Sequence, residues 1–135
     1  MVRKDRVLFV CIGNACRSQM AEGFARRYGS DVLEAASAGL AHASLIPVET
    51  LQVMEEKNIP LDGQFPKGLD DVEFGSFDMV VNMSGIPLPP YLTMAVREWE
   101  VPDPVSKRIE YHRKVRDVIE NLVMKLVLDL RRTKG

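Results

Sequence analysis

Residues Val7 to Ser18 read Val-Leu-Phe-Val-Cys-Ile-Gly-Asn-Ala-Cys-Arg-Ser, and this run commits the chain to a strand that turns directly into a helix. Val7 to Cys11 are five consecutive apolar or thiol residues, the pattern of a buried strand. Ile12 to Cys16 make a short loop. From Arg17 the periodicity becomes helical, with Met20, Ala21, Phe24 and Ala25 on one face and Glu22, Arg26 and Arg27 elsewhere.

The rest of the chain continues the alternation. Gly29 to Asp31 reads as a turn, Val32 to Ser37 as a second strand, and Val48 to Lys57 as a helix with Leu51, Met54 and Val48 inward, ended by Asn58-Ile59-Pro60. Asp62 to Ser76 is turn-rich, with a helical turn near Leu69 to Val72. Phe77 to Met83 is a dense apolar run and the third strand. Leu92 to Trp99 is expected to hold a short helix and then a fourth strand near Val96 to Trp99. From Lys107 to Arg131, Val115, Val118, Ile119, Leu122, Leu126 and Leu130 recur at helical steps, and the basic end suits a helix C-terminus. Strands alternating with helices imply an α/β fold whose parallel sheet is covered by helices on both faces. At 135 residues, 1–135 is expected to form a single domain. Ligands of such sheets sit beyond the carboxyl ends of the strands, where Cys11 falls.

The loop has a chemical meaning. A loop feeding a helix N-terminus gathers backbone N–H groups into one concavity that suits a tetrahedral oxyanion. Gly13 lets it turn tightly. Arg17 adds a planar fork that can grip two oxygens. A free thiol has a pKa of roughly 8.5, and helix N-termini and neighbouring cations lower it; Cys11 is therefore expected as a thiolate nucleophile. A proton donor is also needed. The chain has 19 acidic residues, so spacing alone does not select one. Asp103 stands out in Val101-Pro102-Asp103-Pro104-Val105, where prolines stiffen the loop; a turn or helix-capping Asp is the other reading of the same residues.

Cys-Ile-Gly-Asn-Ala-Cys-Arg-Ser resembles the phosphate loop of the low-molecular-weight protein tyrosine phosphatases, a superfamily that includes arsenate reductases. The similarity continues at Met20-Ala21-Glu22-Gly23, Ser37-Ala38-Gly39, Phe77 to Met83 and Asp103-Pro104. The resemblance implies a four-stranded sheet in the order 2-1-3-4. It implies a phosphomonoester hydrolase acting through a cysteinyl-phosphate, with Cys11, Arg17 and Asp103 catalytic. Substrate is then held by Ile12, Gly13, Asn14, Ala15, Cys16 and Ser18. Asn14 would hold strained loop dihedrals and Ser18 would hydrogen-bond the thiolate. Cys16 would be the redox partner of the nucleophile, closing a reversible disulfide after oxidation.

Departures from the pattern concern substrate. Leu40 to Ser44 and Val105 to Lys107 lack the aromatic residues that flank a phosphotyrosine ring in such enzymes, leaving Tyr91, Trp99 or Tyr111 as substitutes; Gly63-Gln64 stands where many relatives have His. The expected partner is a phosphorylated protein or a small aryl phosphate. The alternative is an arsenate reductase, and because no Cys follows Cys16, it would borrow a small-molecule thiol rather than run a relay of its own thiols. A non-catalytic phosphate-binding module would need neither nucleophile nor acid.

Net charge is −1 and no apolar stretch nears the roughly 20 residues that cross a bilayer, so neither nucleic acid nor membrane is expected as a partner. The first apolar run is too short for a signal-peptide core, and two cysteines five apart in one loop make no disulfide framework; a reducing cytoplasm fits. His42 and His112 have no metal-ligand spacing and are expected on solvent or helix surfaces. No cofactor or metal is expected.

Overall fold

A computed structural model describes residues 3–134. Four strands, β1 (Asp5–Cys11), β2 (Leu33–Gly39), β3 (Met79–Asn82) and β4 (Ala95–Glu98), form one parallel sheet in the order β2-β1-β3-β4. Three α-helices, α1 (Arg17–Gly29), α2 (Val48–Glu55) and α3 (Ile109–Lys134), accompany it. The register places Cys11 beside Gly39 and Val10 beside Asn82, so β1, β2 and β3 end together and their outgoing loops meet.

Side-chain alternation along β1 divides the core. Val7, Phe9 and Cys11 point into the larger cluster with Met20, Phe24, Val115, Ile119 and Val123. Leu8 and Val10 point the other way, onto Phe77, Val80 and Ala38. Helices cover both faces unequally: α1, α2 and α3 contribute to the larger cluster, while the other side is closed by two 3₁₀ turns, Leu69–Asp71 and Phe74–Ser76.

Several local expectations shift. Residues 92–94 form no helix before β4. α1 is buried on nearly every side from Arg17 to Ala25, so Glu22 lies inside rather than on a solvated face. There its carboxylate accepts the Ser37 hydroxyl and pairs with Arg26 one turn on. In α2 the inward residues are Thr50, Val53 and Met54; Val48 and Leu51 are exposed. No helix is long and apolar enough to cross a membrane among the described residues.

Candidate active site

The loop between β1 and α1 is held open by its surroundings. Its outer carbonyls are taken by the segment after β2: Leu40 N–H donates to Cys11 O, Ala41 to Ile12 O and Ala43 to Gly13 O, at 2.8–3.1 Å. Among the described residues, none of the backbone N–H groups of 12–18 donates to a protein acceptor. The loop thus presents donors without matching acceptors, the requirement for cradling an oxyanion. Gly39 allows the close approach: a Cβ there would lie 2.7 Å from Ile12 O and 2.8 Å from Asn14 N, both backbone atoms.

Asn14 carries the strain of the curve, with φ 50°, and its side chain is fully used. Its Nδ2 donates to Ser18 Oγ at 2.7 Å, and its Oδ1 accepts from Gln19 Nε2 at 3.0 Å and Lys67 N–H at 2.9 Å. Gln19 is held in turn by Gln64, which donates to its Oε1 at 2.7 Å. Cys11 Sγ lies 2.9 Å from Ser18 Oγ. Because Ser18 already accepts from Asn14, its own hydrogen is free to point at the sulfur, the polarity that stabilises negative charge there.

Arg17, the first residue of α1, is 4% exposed. Its Nη1 donates to Met83 O at 2.5 Å and Val101 O at 3.0 Å. Its Nη2 lies 3.5 Å from Asp103 Oδ2. Its Nε is buried with no protein partner among the described residues. Nε and Nη2 form one edge of the guanidinium, and that edge is the two-donor fork suited to an oxyanion. Asp103 Oδ1 accepts Val105 N–H at 3.0 Å, so the carboxylate both closes a turn and faces Arg17. It does not cap α3.

Cys11, Ile12, Gly13, Ala15, Cys16, Arg17 and Asp103 line one cavity of about 130 Å³, completed by Ala43 and Val105. Asn14 and Ser18, both buried, brace the loop through the bonds above. Organic ligands typically occupy roughly 300–1,000 Å³; this one is sized for a small anion. None of the three candidate aromatic walls lines it. Tyr91 is 78% exposed, Tyr111 sits among Lys107, Arg108 and Lys114, and Trp99 packs on Phe9 with centroids 6.0 Å apart.

Burial pushes the Cys16 thiol up to about 11, against a hydrogen bond from Thr50. Thr50 Oγ1 in turn lies 3.2 Å from His112 Nδ1. Both are buried, and His112, 1% exposed, is not on a helix surface. Its position was readable: it stands three and four residues before Val115 and Arg116, on the inward stripe of α3. The Gln19–Gln64 brace and the carbonyls of Met83 and Val101 leave no comparable mark, since they depend on contacts 45 to 84 residues apart.

A thiol beneath a ring of N–H donors, beside an arginine fork and a carboxyl, can attack a tetrahedral oxyanion and protonate its departing oxygen. Residues 6–135 match the family model described as low molecular weight phosphotyrosine protein phosphatase. The chain is 35% identical over 129 residues to the glutaredoxin arsenate reductase of Synechocystis sp., covering 90% of this chain and 98% of that one. Among solved structures it is similar to an arsenate reductase in the phosphate binding state, at 32% identity and a TM-score of 0.86 over 93% of this chain and 98% of the other. It is also similar to the YwlE arginine phosphatase from Geobacillus stearothermophilus, at 25% identity and a TM-score of 0.83 over 96% and 94%.

Proposed function

The chain belongs to the low-molecular-weight phosphotyrosine protein phosphatase family, and from that premise we propose that it is a thiol-dependent arsenate reductase. The observation that carries the reading is the full-length similarity to a named arsenate reductase. A small cavity rimmed by Ala43 and Val105 instead of aromatic rings supports it, since arsenate needs no stacking surface.

Cys11 attacks arsenic while the N–H groups of the loop and the Nε–Nη2 edge of Arg17 hold the oxygens. Asp103 protonates the oxygen that leaves as water. The product is a thioarsenate on Cys11. A thiol then attacks the Cys11 sulfur, the S–As bond breaks with its electron pair staying on arsenic, and arsenite leaves. The two electrons come ultimately from an external thiol, because no cysteine follows Cys16. The name of the Synechocystis relative points to a glutaredoxin as that source.

A phosphomonoesterase is the second reading, favoured by the likeness to an arginine phosphatase. It shares the attack by Cys11 and the proton from Asp103, with water in place of the second thiol. Arsenite formation with glutathione and glutaredoxin, measured beside hydrolysis of p-nitrophenyl phosphate, tests the proposal. Glutathione-dependent turnover of arsenate is the expected result. Brisk ester hydrolysis with no arsenite formed would overturn the proposal and establish the second reading.

A further inference from the structure

The cavity above Cys11 is sized for a small anion, and no cysteine follows Cys16. Under the proposed function the reducing thiol therefore arrives from outside, over the rim made by Ile12, Ala43 and Val105. On the Val105 side the rim leads to a second cleft, where the chain enters α3. This cleft measures about 280 Å³ and is lined by Lys107, Arg108, Glu110, Tyr111 and Lys114. Lys107 N–H donates to Pro104 O at 2.9 Å and Ser106 has φ 62°, so the chain makes a tight turn between rim and cleft. The two residues of chain from Val105 to Lys107 span at most about 7 Å, which makes the two hollows neighbours.

The cleft has a chemistry of its own. Its wall is apolar, made by the Tyr111 ring and the aliphatic stems of the long side chains. Three cations stand around it against the single carboxylate of Glu110, in a chain whose net charge is −1. Glu110 lies 3.9 Å from Arg108. Lys107 and Lys114 form no ion pair among the described residues. At the rim, Asp103 is turned toward Arg17. An apolar floor beneath unpaired ammonium groups suits a small organic anion with more than one carboxylate.

We propose that this cleft is the subsite of the external thiol, and that the thiol is a small, peptide-like anion. Its carboxylates lie against Lys107 and Lys114, its body rests on Tyr111, and its sulfur reaches the Val105 rim above Cys11. An extended tripeptide is roughly 10 Å long, enough to bridge the two hollows. From there the thiolate bonds to the Cys11 sulfur, the S–As bond breaks with its electron pair staying on arsenic, and arsenite leaves. The mixed disulfide left on Cys11 is reduced by a second thiol. The use of the cleft in turnover rests on the arsenate reading; binding at the cleft does not.

The test has two arms, each run on the full chain and on Lys107→Gln/Lys114→Gln. Both lysines are exposed, and hydrolysis of p-nitrophenyl phosphate within about twofold of wild type reports an intact site. In the first arm S-methylglutathione, which keeps the carboxylates but has no thiol, is titrated while backbone amide signals are followed by NMR. Shifts at residues 105–114 are expected, with affinity about tenfold weaker in the double variant, a few-fold for each exposed charge removed. Salt near 1 M, where the screening length falls to about 3 Å, should weaken wild type in the same way. Absence of shifts at 105–114, or equal affinity in the double variant, would overturn the subsite. In the second arm arsenite formation is driven by glutathione or by uncharged 2-mercaptoethanol. The double variant should raise the KM for glutathione about tenfold and leave kcat and the KM for 2-mercaptoethanol unchanged. Equal changes with both thiols would also overturn the subsite, while leaving the arsenate reading intact. Binding of S-methylglutathione at the cleft with no arsenite formed from either thiol would refute the arsenate reading and leave an anion-binding cleft in place.

Discussion

Under the proposed function, Arg17 divides its nitrogens between scaffold and ligand. Nη1 is anchored on Met83 O and Val101 O, which fixes the plane of the guanidinium and leaves Nε and Nη2 for the anion. Lysine keeps the charge but can reproduce neither the anchoring nor the two-point edge. Arg17→Lys should therefore lower kcat/KM for arsenate by at least about a hundredfold; a loss below tenfold in steady-state assays would remove Arg17 from the transition state. Gly39 acts with no side chain at all. In Gly39→Ala the new Cβ meets backbone on the facing loop, so the cradle must shift while Cys11 and Arg17 stay chemically intact. The expected outcome is oxyanion affinity weakened by at least about tenfold and a stability loss of about 1–3 kcal/mol, read by phosphate titration and denaturant melts. Asp103→Asn separates proton donation from binding. Phenyl phosphate hydrolysis should fall by about two to four orders of magnitude, and p-nitrophenyl phosphate hydrolysis by much less, because its leaving group needs little protonation. Equal losses on both esters would point to another acid.

At the scale of elements, α2 and α3 are clamped by one carboxylate. Glu56, just past α2, accepts from Arg113 Nε and Nη2 and from Arg116 Nη1, the shortest at 2.6 Å. The Arg113 hydrogen bond, followed by that of Arg116, holds the Glu56 carboxyl down to about 2. A depressed carboxyl pKa stabilises the fold above the unfolded-state value, and that contribution disappears as pH falls through the folded-state value. Glu56→Gln should therefore be less stable than wild type at pH 7, with the gap closing between about pH 4.5 and pH 2 in urea melts. A gap that stayed constant across that range would assign the effect to something other than ionisation. The elements also show where sequence is informative. β1, its loop and α1 were legible because their cues are contiguous: an apolar run, Gly13 in the turn and a helical period after Arg17. The brief β4 was not sharply readable, since all four of its residues are exposed at the sheet edge and alternate weakly. Val48 and Leu51 fit an inward face in the sequence because α2 is short, whereas in the structure its polar Thr50 faces the core. His112 is hidden in the sequence for the reciprocal reason: it is a polar residue on a stripe of α3 otherwise legible as apolar. The loop's own residues came from the sequence, whereas the carbonyls that aim Arg17 came only from the folded sheet.

Across the whole molecule, ligand binding and folding are one equilibrium. An anion that binds only the folded chain at about a hundred times its Kd adds about 2.7 kcal/mol of stability, which for a chain of this size raises Tm by roughly 10 °C. Arsenate and phosphate should both produce such a shift in thermal scans, and Arg17→Lys should lose most of it; no shift in wild type at any millimolar concentration would contradict an oxyanion cradle. The anchoring of Arg17 adds a consequence in time. Cys11 and Arg17 are made early in synthesis, but the carbonyls that orient the guanidinium belong to Met83 and Val101. A ribosome stalled before residue 101 would display the nucleophile and its arginine without the aimed fork, and its chain would take up no arsenate. Under the proposed function Arg17 is aimed only once Val101 has been made, so the nascent Cys11 thiol passes through the crowded exit of the ribosome before its partner is in place.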